Sequence, residues 1–382
     1  MMRRRVLYVP GYDPLPPRRY RELYRREGAA QAVISGYRLL QRERRDPTGF
    51  GWAAGIGDSH AEFEVLVWSD IVNASMGQSI LATYLQLLQT AWAYIGSGAL
   101  WRLMQLRRGP VIAALYPVAV LLAQAAVALA LGGVLLWLLP WWAGLPLAVL
   151  TLWVVLRWWR RLDGRVFAYY LMHDYAFTAL QGGAYPQALS ARIDDFARRI
   201  GALSPQDWDE VLVVGHSSGA YVAISALARL AREGRLGDHI SLLTLGHVVP
   251  MASFLPGAAQ LRADLHNLAQ ADPDWVDVTA PGDACCFALC DPVAVSGSTP
   301  AAGGGPKIIS AAFRQTLSPE KLRSLRGRWF RLHFQYLCAF DRPGDYDYFQ
   351  ITAGPLRLGQ RFAHRGHSPG RIARPVNRWR HG

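Results

Sequence analysis

The sequence predicts an α/β fold: a mostly parallel sheet with helices on both faces, interrupted by an inserted hydrophobic helical hairpin. Three observations carry this expectation. Short apolar runs alternate with longer segments of helical period, the arrangement a parallel sheet with crossover helices requires. The runs are apolar on successive residues, as in Val211-Leu212-Val213-Val214, so both of their faces must be covered. Finally, an uncharged block from Gly109 to Leu156 divides the alternating segments into two parts.

The elements follow in order. Arg5–Val9 reads as a first strand, ended by Pro10-Gly11, and Glu64–Trp68 as a second. Residues 1–70 form the first part of the sheet domain. Gly51 to Gly57 lacks the glycine spacing of a nucleotide loop. Past the insertion, residues 165–354 form the second part. Its expected elements are a helix at Ala188–Ile200, a strand at Val211–Val214, a helix at Ser218–Glu233 and a strand at Ile240–Leu245. Trp275–Thr279 and Trp329–His333 read as the last two strands, and Ala301–Pro306 as a flexible loop.

The insertion spans residues 71–164, with a membrane hairpin at about 110–159. A membrane span needs about 20 apolar residues, so the charge-free block holds two limbs broken near Pro140, Gly144 and Pro146. Trp137, Trp141 and Trp142 lie at the break and Trp158 and Trp159 at the exit, where interfacial aromatic residues belong. Arginines flank both ends, Arg107 and Arg108 on one side and Arg157, Arg160 and Arg161 on the other. Both ends are therefore expected on the cytoplasmic side of the inner membrane, together with the sheet domain. The second limb, about Leu145 to Trp159, is short, which leaves both a full span and a re-entrant hairpin open. Upstream, Ile80–Met104 reads as an amphipathic helix that lies on the bilayer, covers the site or packs on the sheet.

Composition agrees with membrane contact: 51% of residues are hydrophobic and only 18% charged, at a net charge of +13. Lysine occurs only at Lys307 and Lys321, so arginine carries nearly all of the positive charge. The tail, residues 355–382, has seven arginines and no acid, and is expected to be disordered or surface-bound. An anionic membrane suits it better than nucleic acid, because the hairpin already implies a membrane. Cys285, Cys286, Cys290 and Cys338 form neither a disulfide framework nor paired metal-ligand spacing, so no metal or cofactor is expected.

The chemistry centres on Gly215-His216-Ser217-Ser218-Gly219. Placed between a strand and a helix, this G-x-S-x-G pushes Ser217 out of the sheet, where a base can reach it. A serine nucleophile needs that base and an acid to orient it. Asp283 follows the strand Trp275–Thr279, with Asp291 as the alternative acid; Asp277 falls within the strand. His333 is the expected base. His364 and His367 lie in the basic tail, while His216 and His247 are expected to line the pocket. His173-Asp174 reads as an isolated structural pair, and Asp341 to Tyr348 lacks the acidic spacing of a calcium loop.

With the order Ser217, Asp283, His333, the G-H-S-S-G segment resembles the nucleophile elbow of the α/β-hydrolase superfamily, particularly its lipase- and esterase-like members. Leu242 to Gly246 is similar to the strand that follows the nucleophile helix there. Val9-Pro10-Gly11-Tyr12 resembles the loop that supplies one oxyanion amide. The resemblance covers about residues 1–70 and 165–350. It implies a catalytic Ser217–Asp283–His333 set and an oxyanion hole made by Ser218 with Gly11 or Tyr12. The implied activity is that of a membrane-anchored serine hydrolase cleaving a lipid-like ester or thioester through an acyl-serine. Transfer of the acyl group to an acceptor other than water stays open, as does a catalytically silent membrane scaffold or partner-binding protein. Transport by the hairpin is disfavoured, because the block Gly109 to Leu156 contains no charged residue.

Overall fold

Successive side chains of the first strand, β1 (Met2–Val9), enter two different cores: Val6 and Tyr8 one, Leu7 and Val9 the other. That two-sided burial is what a central strand with helices on both faces requires. The computed structural model describes residues 1–43 and 49–380. The other strands are β2 (Leu39–Arg42), β3 (Gly51–Ile56), β4 (Ser59–Val65), β5 (Glu210–His216), β6 (Ile240–Leu245), β7 (Trp275–Thr279) and β8 (Lys307–Ser310). They form an eight-stranded sheet in the order β2-β3-β4-β1-β5-β6-β7-β8. From β4 to β8 every pair is parallel, and β3 runs antiparallel to both of its neighbours. The fold is thus α/β, with a mixed and mostly parallel sheet.

One face is covered by the helices Gln187–Gly201, Gly219–Arg232 and Ala259–Ala271, which bury Ile193, Phe196, Ile224, Leu227 and Leu265 against it. The other is covered by the helix Arg18–Ser35, through Tyr20 and Tyr24, and by Phe340, Tyr346, Tyr348 and Phe349. Trp329–His333 is a correction: it is helical, and β8 is the edge strand instead. Five residues, Trp329-Phe330-Arg331-Leu332-His333, are too few to reveal their own period. The outer edge of β8 is also already taken, since Ser368 N–H donates to the Ile308 carbonyl at 2.8 Å and Ser310 N–H donates to Ser368 Oγ at 2.8 Å. Capping an exposed edge in this way removes a pairing site.

The same contacts correct the expectation for the tail. Residues 355–380 fold onto the body, with Leu358, Phe362 and Val376 buried. Five of its arginines have protein partners: Arg357 on the Asp238 carbonyl, Arg361 on Gln350, Arg365 on Asp345, Arg371 on Asp291 and Arg374 on the Gln105 carbonyl.

Within the insertion, two helices, Arg108–Leu138 and Trp141–Arg161, are long and apolar enough to cross a membrane, with mean hydropathies of 2.3 and 1.4 over their most apolar windows. The second, at 21 residues, is longer than the limb the sequence suggested. They pack closely where side chains are small. A carbon added at Gly132 would lie 3.4 Å from Ala148 Cβ, and one at Gly144 3.3 Å from the Leu135 carbonyl oxygen.

Ile80–Met104 is not one helix but two, Ile80–Gly96 and Ala99–Met104, parted at Gly98, whose φ of +73° ends the helical path. The longer helix is inverted. Thr83, Gln86 and Thr90 face the body, while Leu81, Leu88 and Trp92 are 71%, 64% and 79% exposed. Gln86 is satisfied by His173, at 2.8 Å from Nδ1. The inversion is partial, since Leu87 and Tyr94 are also buried and Gln89 is exposed.

Candidate active site

The elbow is local geometry forced by its neighbours. Strand β5 ends at His216, Ser217 adopts a φ of +57°, and the helix Gly219–Arg232 begins two residues later. Positive φ is uncommon for a residue with a side chain and is held only by surrounding structure. Here Ser217 N–H donates to the Leu245 carbonyl at 2.9 Å. The flanking glycines are required, since a carbon at Gly219 would fall 2.2 Å from the Val9 carbonyl oxygen and one at Gly215 2.7 Å from the Gly219 oxygen.

Beside the elbow runs the loop after β1. A carbon at Gly11 would touch Ser217 Cβ at 3.0 Å, so glycine permits this approach. Trp68 Nε1 donates to the Pro10 carbonyl at 2.8 Å, and Tyr170 Oη donates to the Tyr12 carbonyl. The backbone amides of Gly11, Tyr12 and Ser218 make no hydrogen bond among the described residues, which leaves donors at the elbow for a ligand.

His333 and Asp283 meet from separate elements. Nδ1 of His333, on the short helix Trp329–His333, lies 2.7 Å from Asp283 Oδ2 in the loop after β7. Two further donors hold the carboxylate: Tyr336 Oη on Oδ2 at 3.0 Å and Cys285 N–H on Oδ1 at 2.9 Å. Burial by itself would push this carboxyl up; the His333 ring and these bonds outweigh burial and hold it below the ordinary aspartate value. With Nδ1 as donor, Nε2 is the acceptor of the neutral ring. That atom is buried and has no hydrogen-bond partner among the described residues.

Ser217 and His333 line one cavity of about 830 Å³, together with Tyr12, Tyr170, Asp174 and Ser218. Their side chains are not hydrogen-bonded to each other. Pro110 and Ala113, at the base of the first long apolar helix, line the same cavity.

The remaining candidates divide clearly. His216 lines the cavity, with Nε2 3.1 Å from the His333 carbonyl oxygen, and burial pushes its ring down to about 3. His247 does not line it: the ring is fully buried, with Nε2 3.0 Å from the Cys290 carbonyl oxygen. The alternative acid Asp291 is remote from His333 chemically, because it caps the helix Pro292–Val295 and pairs with Arg371 at 2.6 Å. Asp277 lies within β7 and accepts from Thr244 at 2.6 Å. His367 accepts from Ile308 N–H at 3.1 Å, and His364 is exposed.

Asp283, Cys285 and His333 bring three metal-capable atoms within 4.8 Å of one another. The Asp–His hydrogen bond already uses Nδ1, and burial holds the Cys285 thiol well above its ordinary value, hence protonated. The set therefore fits a proton-handling pair better than a metal site.

Two side chains in this region have surroundings that the sequence did not indicate. Tyr336, three residues after His333, supports Asp283. Asp174 was read as half of a structural pair with His173; His173 does face the insertion, but Asp174 faces the cavity. Comparisons with protein-family models, with curated proteins and with solved structures each find no match for this chain.

Proposed function

We propose that the chain is a membrane-anchored serine hydrolase of the α/β-hydrolase type, cleaving a lipid-like ester or thioester through an acyl-serine. One observation carries this reading above the others. Ser217, at positive φ on a strand-to-helix turn, shares a cavity with the unpartnered Nε2 of a histidine bonded to a buried aspartate.

The chemistry follows from these groups. As Ser217 Oγ adds to the substrate carbonyl, His333 Nε2 takes its proton and Asp283 stabilises the imidazolium that forms. The amides of Ser218 and of Tyr12 or Gly11 receive the charge on the former carbonyl oxygen, a contribution of roughly 3 kcal/mol per donor in such sites. Collapse breaks the bond to the alcohol or thiol, which leaves with the proton from His333. Water, deprotonated by the same nitrogen, then attacks the acyl-serine and releases the acid. The serine–histidine hydrogen bond forms as substrate fills the cavity, a tightening common in such enzymes.

The two long apolar helices act as the anchor, with the sheet domain on the cytoplasmic face. Exposed arginines at their ends, Arg108, Arg157, Arg160 and Arg161, meet anionic headgroups. The tail contributes little to this contact, since most of its arginines bond within the protein.

A fluorophosphonate probe tests the chemistry: folded, detergent-solubilised protein is expected to form an adduct on Ser217. No adduct there would overturn the hydrolase reading in favour of a silent membrane scaffold. Removing Val111 to Leu156 is expected to release the protein from membranes, and persistent association would move the anchor elsewhere.

A further inference from the structure

The helix Ala168–Ala179 has two faces of different character. Tyr169, Met172 and Ala176 are buried against the apolar insertion. Tyr170, Asp174 and Thr178, each four residues apart, line the cavity that holds Ser217. Asp174 is the unusual member. Its carboxylate has no hydrogen-bond donor and no cationic partner among the described residues.

The surroundings make that absence costly. Tyr12, Tyr94, Tyr170, Tyr175 and Tyr221 all feel the charge of Asp174. Burial pushes its carboxyl up to about 7, opposed by the nearby His333. Asp174 is half-buried, and a carboxylate drawn partly out of bulk water is ordinarily paired or hydrogen-bonded. This one lines the same cavity as Ser217, so a ligand in that cavity is placed to partner it.

We propose that Asp174 is the acceptor of a polar subsite beside Ser217, taking a hydroxyl or ammonium group carried by the ester substrate. The inference rests on the hydrolase reading and narrows its substrate class. An acyl chain laid on Asp174 would strip the carboxylate of water without replacing its hydrogen bonds, and a phosphate or carboxylate would be repelled. A group that donates a hydrogen bond satisfies it. The acyl chain then takes the apolar remainder of the cavity, toward Pro110 and Ala113 at the base of the hairpin. The favoured substrates are therefore acyl esters of a polyol or an amino alcohol.

Three octanoyl esters test this on the full-length, detergent-solubilised chain: the glycerol, dimethylaminoethyl and propyl esters. The wild type is expected to favour one or both donor-bearing esters over the propyl ester by about 10- to 100-fold in kcat/KM. Asp174→Leu is expected to abolish that preference. Asp174→Asn, which keeps an acceptor oxygen but no charge, should retain a preference for the glycerol ester and lose one for the ammonium ester. No preference in the wild type, or a preference that survives both substitutions, overturns the subsite. An equal loss on all three esters overturns it as well. Fluorophosphonate labelling of Ser217, run in parallel on all three proteins, separates the two failures. Labelling without preference sinks the subsite alone, whereas absent labelling in the wild type sinks the hydrolase reading and the subsite with it.

Discussion

The two ends of this sheet bury charged groups in opposite ways. At the amino ends of β1 and β5, every guanidinium nitrogen of Arg4 donates: Nε to Glu210 at 2.5 Å, Nη1 to the Gly354 carbonyl at 2.9 Å and Nη2 to the Leu356 carbonyl at 2.5 Å. Glu210 in turn accepts from Ser241 and from the Leu358 amide. At the carboxyl ends of the same strands, His333 Nε2, the Asp174 carboxylate and the Ser218 and Tyr12 amides are without partners among the described residues. Arg4, Glu210 and His333 are all buried, so burial alone does not explain the difference. One end is closed by its own chain, and the other leaves polar groups facing a cavity. Open parallel sheets place ligand sites at the carboxyl ends of their strands.

Substitutions can break that contrast. The largest effect is expected from Ser217→Ala, which should lower turnover of an ester probe by about 10⁴-fold or more while the thermal transition persists. Near-normal turnover would mean that the open end is not where the chemistry happens. Next in size, Arg4→Met leaves Glu210 buried without its cation and should cost about 3–5 kcal/mol in denaturant unfolding. Adding Glu210→Leu should recover part of that loss; a single-variant cost below about 1 kcal/mol would show the closed end to be dispensable.

The smallest of the three effects concerns His247, which lies just past β6 and which burial pushes down to about 4. Unfolded chain takes up a proton there near the ordinary value of 6.5, while the folded chain resists it. Its contribution is therefore intact above that value and lost as pH falls toward 4. At pH 5 the loss is about 2 kcal/mol. A plot of melting temperature against pH for His247→Gln should be flatter between pH 7 and 5 than that of the parent; parallel curves would assign the acid sensitivity to other groups.

Legibility followed the range of the interactions. The elbow at Ser217 was plain because its signal is contiguous: an apolar strand, two obligatory glycines and a small-residue helix start. Strands β5, β6 and β7 were nearly as plain, being rich in valine and leucine, with Ser241, Thr244 and Asp277 as interior polar residues. β3, Gly51-Trp52-Ala53-Ala54-Gly55-Ile56, carries two glycines and no valine, so its strand character comes from pairing with β4. β8 has four residues and owes its place to Thr279 and Ser368 on either side. The run Trp329–His333 looked like a strand for the opposite reason, since its apolar residues serve a helix that packs at the mouth of the cavity. The choice between Asp283 and Asp291 was likewise non-local: two nearby loop aspartates differ only in whether a histidine or an arginine reaches them.

By itself the chain determined the α/β class, the positions of the central parallel strands, the turn that exposes Ser217 and the presence of two apolar helices. These depend on period, hydropathy and glycine placement within a dozen residues or so. Tertiary structure alone decided which acid meets His333, that the basic tail caps a sheet edge, and that the helix Ile80–Gly96 turns Leu81, Leu85 and Leu88 outward. It also decided that His173 and Asp174, adjacent in the chain, look in different directions. Neighbours on a helix point about 100° apart, so one faces the insertion and the other the cavity, and only the packing of that helix between them says which.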